Sequence, residues 1–205
     1  MVNYPIPDAL SEHPKIFERL KARYSEAGRF YHCWTHIEQI VCEYDNVAFM
    51  ISNESCVLYA IYYHDAIYDP SSFSNEEDSA DLFRREILPI ENEDIVHVAC
   101  EFINATKTHK LPDIADEKVL TDCRYFLDLD MSILGADANE YKSYAKSIRR
   151  EYSAYDDGAY CFGRTKILES FLRAERIFLT DYFVEKYERQ ANVNIKNELS
   201  ILRSS

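Results

Sequence analysis

Residue types able to do chemistry concentrate in three short stretches of this chain. The densest is Ala60-Ile-Tyr-Tyr-His-Asp-Ala-Ile-Tyr68, which sets His64 beside Asp65 at the end of an apolar run. At about 100° per residue, Val57, Leu58, Ile61 and Tyr68 share one helical face and the doublet straddles it. An imidazole and a carboxylate aimed inward need compensation, from each other and nearby backbone or from a cation that both bind. A second stretch places His36 at the edge of the face formed by Ile37, Ile40, Tyr44, Val47 and Ile51, with His32 one turn earlier. In the third, Asp130 falls in the middle of the stripe Val119, Leu120, Cys123, Phe126, Leu127, Ile133 and Leu134, whereas Asp128 is predicted to point about 160° away. An ionised aspartate is rarely buried alone, so a salt bridge or a metal ion should meet it.

Two imidazoles, His36 and His64, with two carboxylates, Asp65 and Asp130, suit a borderline-to-hard divalent ion such as Mn, Fe, Ni, Co, Zn or Mg. Zinc is more often held by cysteine or by a His-Glu-x-x-His motif, which is absent. An ion with open positions acidifies bound water and offsets charge on an attacked phosphate. The plainer reading of the same residues is a capping histidine, a polar pair at a helix end and a buried ion pair.

The elements that must position these groups all read as helices. Asp8 is expected to cap a first helix running to about Tyr24, with Gly28 breaking it. A second helix carries His36, and a third begins at Asn53 and ends in His64-Asp65. Ser74 with Glu77 resembles a capping box for a fourth, ended by Pro89. A fifth runs from about Asn92 to Lys107, with His97 on its outer side and His109 just past its end. A sixth starts near Asp116, and a tyrosine-rich helix follows Gly135. Gly158 and Gly163 are expected to bracket a connection containing Arg164. The last long helix runs from Leu168 to about Phe183, and the tail 185–205 is weakly patterned. The prediction is one all-helical domain of about eight to nine helices.

With only 4 Gly and 6 Pro, the chain lacks the regular turn clusters of a sandwich or barrel. A formal charge of −13 opposes nucleic-acid and anionic-membrane binding. An anionic substrate then needs a metal or a few arginines to hold it. The cysteines, Cys33, Cys42, Cys56, Cys100, Cys123 and Cys161, are far apart with no Cys-x-x-Cys. They read as buried thiols of a reducing compartment. No apolar run reaches membrane-spanning length and no signal pattern opens the chain, so the expected location is cytoplasmic.

Several strings extend the pattern: Arg-Phe-Tyr-His-Cys-Trp-Thr-His-Ile at 29–37, Tyr-His-Asp-Ala-Ile-Tyr-Asp-Pro at 63–70 and Asn-Glu-Glu-Asp-Ser-Ala at 75–80. Leu-Asp-Leu-Asp-Met-Ser-Ile-Leu-Gly at 127–135 and Ile-Arg-Arg-Glu-Tyr at 148–152 continue it. Together they resemble the HD-domain superfamily of metal-dependent phosphohydrolases, in its "predicted metal-dependent phosphohydrolase" branch, over residues 20–180. The resemblance implies an HD-like helical domain with His36, His64, Asp65 and Asp130 as metal ligands. His32 competes with His36 for the first position and Asp128 with Asp130 for the last. It also implies a small phosphorylated substrate, such as a nucleotide. Asp69 or Glu76 would handle the proton, and His32, His109, Arg149 and Arg164 would bind phosphate oxygens. Two other functions stay open, an HD-type di-iron oxygenase drawing extra ligands from His109 and His97, and a non-catalytic metal- or ligand-binding module. Homo-oligomerisation is left open.

Overall fold

The computed structural model describes residues 5–204, and every regular element among them is helical. The chain divides into two compact units, Met1–Leu129 and Asp130–Ser205.

The first unit contains α1 (Asp8–Ser11), α2 (Pro14–Arg23), α3 (Trp34–Tyr44), a 3-10 turn (Ala48–Met50), α4 (Glu54–Tyr63), α5 (Asn75–Ile87), α6 (Glu93–Ala105) and most of α7 (Glu117–Met131). Its core is built around α4, in which every residue from Cys56 to Tyr63 is buried. A helix apolar on all sides belongs in an interior, and α3, α5 and α6 cover this one. Its tyrosines reach the rim with their hydroxyls. Tyr59 donates to Glu91 at 2.9 Å, Tyr63 to Glu86 at 3.1 Å and Tyr62 to the Pro5 carbonyl at 2.9 Å. Asn53 caps the helix by accepting from the Cys56 amide at 3.2 Å. Asp122 of α7 fixes the preceding turn, its carboxylate accepting from the amides of Ser52 and Asn53 at 2.8 and 2.9 Å. The start of α4 is therefore pinned from two sides.

Three local expectations are corrected in this unit. The helix expected from Asp8 to Tyr24 is two helices, because Pro14 has no amide to continue the ladder and instead takes the first helical position of α2. Pro7, not Asp8, holds the cap position of α1. Ser74 does cap α5 by position, but its hydroxyl turns to Asp78 at 2.9 Å instead of closing a capping box with Glu77.

The second unit contains a 3-10 turn (Ser132–Gly135), α8 (Ala138–Glu151), α9 (Asp157–Arg173), the short α10 (Asp181–Phe183), a π-helical turn (Val184–Glu188) and α11 (Arg189–Leu202). Gly158 and Gly163 do not bracket a loop. Asp156 accepts from the Ala159 amide at 2.8 Å and starts α9 ahead of both glycines, so Arg164 is a mid-helix residue. The helix expected to run to Phe183 stops at Arg173. The weakly patterned tail forms α11, which buries Ala191, Asn194, Ile195, Glu198 and Leu199. Two of those are polar, which hid the apolar period. Asn194 donates to the carbonyls of Leu134 and Ala136 at 2.9 and 2.8 Å, and Glu198 meets Arg164.

Candidate metal centre

Three segments of the first unit build the site. Gly28 takes φ +96°, a conformation other residues rarely adopt, and turns the chain so that Arg29 enters the interior. The residues after it climb into α3, with the His36 amide bonded to the Cys33 carbonyl at 2.9 Å. At the far end of α4, His64 continues the helical ladder through its amide to the Ala60 carbonyl at 2.9 Å, and the chain then leaves the helix. The departing strand of loop is tacked to α5. Ser79 exchanges hydrogen bonds with the amide and carbonyl of Ile67 at 3.0 and 3.3 Å, and Asn75 does the same for Asp69 at 2.9 Å each. The His64-Asp65 turn is thus clamped before and behind.

His36, His64 and Asp65 come together. Their ligand atoms lie within 4.8 Å of one another, a group that could hold a metal ion. Nε2 of His64 is 3.0 Å from Oδ2 of Asp65, and Nε2 of His36 is 3.9 Å from the same oxygen. The two imidazoles are almost wholly buried, while the Asp65 side chain keeps 18% of its surface exposed. Access from solvent is therefore on the carboxylate side.

The other nitrogen of His64 decides how this geometry reads. Nδ1 is 3.0 Å from the Ile61 carbonyl, which can only accept, so Nδ1 carries the hydrogen. In the neutral ring Nε2 then presents a lone pair to a carboxylate oxygen. Two acceptors at that distance repel unless a proton or a metal cation lies between them. A histidine that donates one ring nitrogen to a backbone carbonyl and turns the other to a shared centre is the usual arrangement of a metal ligand. The donor set, two imidazoles and a carboxylate, fits a divalent ion.

Around the trio lies a ring-lined wall. Tyr31 meets the His36 ring at 4.6 Å between centroids, His64 packs edge-on to His36 at 5.4 Å, and Phe126 of α7 packs edge-on to His64 at 6.0 Å. His32 stacks on Tyr68 at 4.1 Å, and of the two competing histidines it is His36 that joins the trio.

The remaining expected residues are distributed as follows. Asp69 is fully exposed and accepts from the amide and hydroxyl of Ser71 at 2.8 and 2.7 Å, which hold its carboxyl below the ordinary range. Glu76 is half-buried in the first turn of α5. His109 follows α6 with left-handed backbone, φ +51°, and His97 is exposed. Arg149 and Arg164 belong to the second unit and have work of their own there. Arg149 bonds the carbonyls of Tyr152 and Tyr155 and the Asp157 carboxylate, tying off the end of α8. Arg164 pairs with Glu198 through two nitrogens, at 2.9 and 3.1 Å.

On α7 the outward facing expected for Asp128 is corrected. Leu127, Asp128 and Leu129 are all buried, Asp128 to 1% exposure, because this end of the helix is covered on every side and the period no longer separates inside from outside. Asp130 is half-buried and falls in the second unit, where its charge helps raise the Tyr144 hydroxyl, whose burial is the larger cause.

The sequence assigns no role to Arg29, the first residue of the string at 29–37. Arg29 is 8% exposed and bonds main-chain carbonyls on both sides of the site. A lone cation directly after a glycine, inside an aromatic string, was the available signal. Comparison of the chain with known protein families, with curated proteins and with solved structures gives no match. None of its described helices is long and apolar enough to cross a membrane.

Proposed function

We propose that the chain is a metal-dependent phosphohydrolase that cleaves a phosphate ester of a small metabolite, a nucleotide being the favoured kind. The observation that carries the reading is the His64-Asp65 pair, with Nδ1 committed to a carbonyl and Nε2 turned to a carboxylate beside a second imidazole. The resemblance of the surrounding strings to HD-domain phosphohydrolases supplies the reaction class.

In this reading His36, His64 and Asp65 hold a divalent ion, which when bound acidifies water and offsets charge on the phosphate. Asp65 supplies the negative charge that favours a cation, and the buried imidazoles fix where it sits. Of the two carboxylates expected to move the proton, Asp69 is already engaged with the hydroxyl and amide of Ser71, which favours Glu76. Among the phosphate-binding candidates, His32 has its ring centroid 6.2 Å from that of His36. The resemblance assigns a fourth ligand to Asp130, and the buried Asp128 competes for the role. Paired Asp128→Asn and Asp130→Asn variants decide between them, the ligand being the one whose loss releases metal.

The test is a screen of phosphomonoesters and nucleotides with Mn, Fe, Co, Ni, Zn or Mg added in turn. Turnover with one of these ions that disappears in His64→Ala supports the reading. Stoichiometric metal binding with no turnover across the panel would instead favour a non-catalytic binding module. Two irons with an oxo-bridge absorption band would favour the di-iron oxygenase.

A further inference from the structure

We propose that Arg29 is the positioning residue of the metal centre, setting the separation between the segment that carries His36 and the turn that carries His64 and Asp65. The inference rests on the metal-site reading given above and names a residue that reading does not use.

Burying a guanidinium is costly, and the usual compensation is a carboxylate in close contact. Arg29 is not arranged that way. Its nearest carboxylate contact is to Glu26 at 3.7 Å, and that side chain is half in solvent. Its short bonds go to main-chain carbonyls instead. Nη1 donates to His32 at 3.0 Å and to Asp65 at 2.7 Å, and Nη2 donates to Ala66 at 3.0 Å. A single nitrogen therefore bridges the approach to α3 and the exit from α4, and the second nitrogen holds the next residue of that exit.

These are the two places from which the ligands project. His32 lies in the bend that leads into α3, four residues before His36, and Asp65 is itself one of the proposed ligands. A rigid planar fork can fix such a distance, whereas a flexible ammonium cannot bond both segments with the same geometry. The fork is also held from its faces. Its central carbon lies 5.3 Å from the Tyr24 ring and 5.6 Å from the Tyr68 ring, and Tyr68 in turn stacks on His32. Arg29 thus touches both ligand-bearing segments through backbone and reaches His32 through a ring, while its hydrogen bonds go to carbonyls and to none of the trio's metal-facing atoms. That is the arrangement of a residue acting through others.

Supporting residues of metal sites typically contribute 10–100-fold to metal affinity, and roughly that loss is expected here. The experiment titrates Mn2+ into full-length wild type, Arg29→Lys, Arg29→Met and Glu198→Gln by calorimetry, and records the melting temperature of each metal-free protein. Arg29→Lys keeps the charge and guards against a misfolded Arg29→Met. Glu198→Gln perturbs a buried ion pair in the second unit and reports what a purely structural loss does. The expected result is a loss of Mn2+ affinity of roughly 10–100-fold in Arg29→Lys and more in Arg29→Met, with Glu198→Gln lowering the melting temperature alone. Wild-type affinity in Arg29→Lys overturns the inference and leaves the metal site standing. So does a melting temperature that falls in Arg29→Lys with affinity unchanged. Absence of Mn2+ binding in the wild type removes the metal site and this inference together.

Discussion

Nε2 of His64 stands 3.0 Å from Oδ2 of Asp65 while Nδ1 of the same ring faces the Ile61 carbonyl at 3.0 Å. With one nitrogen committed to donating, the other can meet a carboxylate favourably only through a cation or a second proton. Asp65→Asn replaces one acceptor by an amide that donates to Nε2. At a pH where the His64 ring holds no second proton, the metal-free protein is then expected to gain stability, by about 1 kcal/mol for a hydrogen bond satisfied in place of a repulsion. Metal binding is expected to fall sharply in the same variant. Thermal melts in chelator, paired with metal titration, check the opposite signs.

The Arg164–Glu198 pair should be structural. Both side chains are about nine-tenths buried, and Tyr141 donates a further bond to Glu198 at 2.5 Å. Removing one partner strands the other charge, so Glu198→Ala is expected to cost about 3–5 kcal/mol. Denaturant unfolding measures the loss, and metal content should not follow it.

Gly135 permits a close approach rather than a special turn. A Cβ there would sit 2.9 Å from Cα of Tyr187 and closer still to its side chain, where the π-helical turn passes. Backbone cannot swing aside as a flexible side chain can. Gly135→Ala is expected to destabilise by about 1–3 kcal/mol, the range for overpacked sites. Tyr187→Ala in the same background should not restore it, because alanine keeps the Cα and Cβ that crowd the site.

The thiols divide by depth. Burial pushes Cys56 and Cys123 up to about 12 and raises Cys100, whereas Cys42 is exposed and Cys33 and Cys161 are half-buried. The expectation of uniformly buried cysteines is thus corrected for three of them. A disulfide reagent at mildly alkaline pH should modify Cys42 first, Cys33 and Cys161 next, and the buried three only on unfolding. The same shifts carry a pH dependence. Between about 9 and 12 the unfolded chain has released these protons and the folded chain still holds them. Stability therefore falls as pH rises through that window. Chemical melts at rising alkaline pH read the slope, which a Cys56→Ser/Cys123→Ser double variant should flatten.

Much of the first unit was legible because local rules and burial agree there. Asn53 and Asn92, where the sequence starts two helices, prove to be their caps, each accepting from an amide in the first turn, and Pro89 follows the end of α5. The His64-Asp65 doublet was visible for the same reason, a polar break at the end of the most apolar helix. What escaped was governed by long-range contacts. α11 is held by Asn194 and Glu198, whose partners lie about sixty and thirty-four residues away, so no local period announces it. Asp128 was misread because periodicity assumes one wet face, and the end of α7 has none. Arg29 was hidden because its partners are carbonyls, which a sequence does not display.

The most direct measurement is elemental analysis of the protein purified without chelator, run beside His36→Ala, His64→Ala and Asp65→Ala, with circular dichroism to confirm helix. The account predicts near-stoichiometric divalent metal in the wild type and its loss in all three variants at unchanged helicity. A metal-free wild type that stays metal-free on titration, or variants that keep the ion, would contradict it.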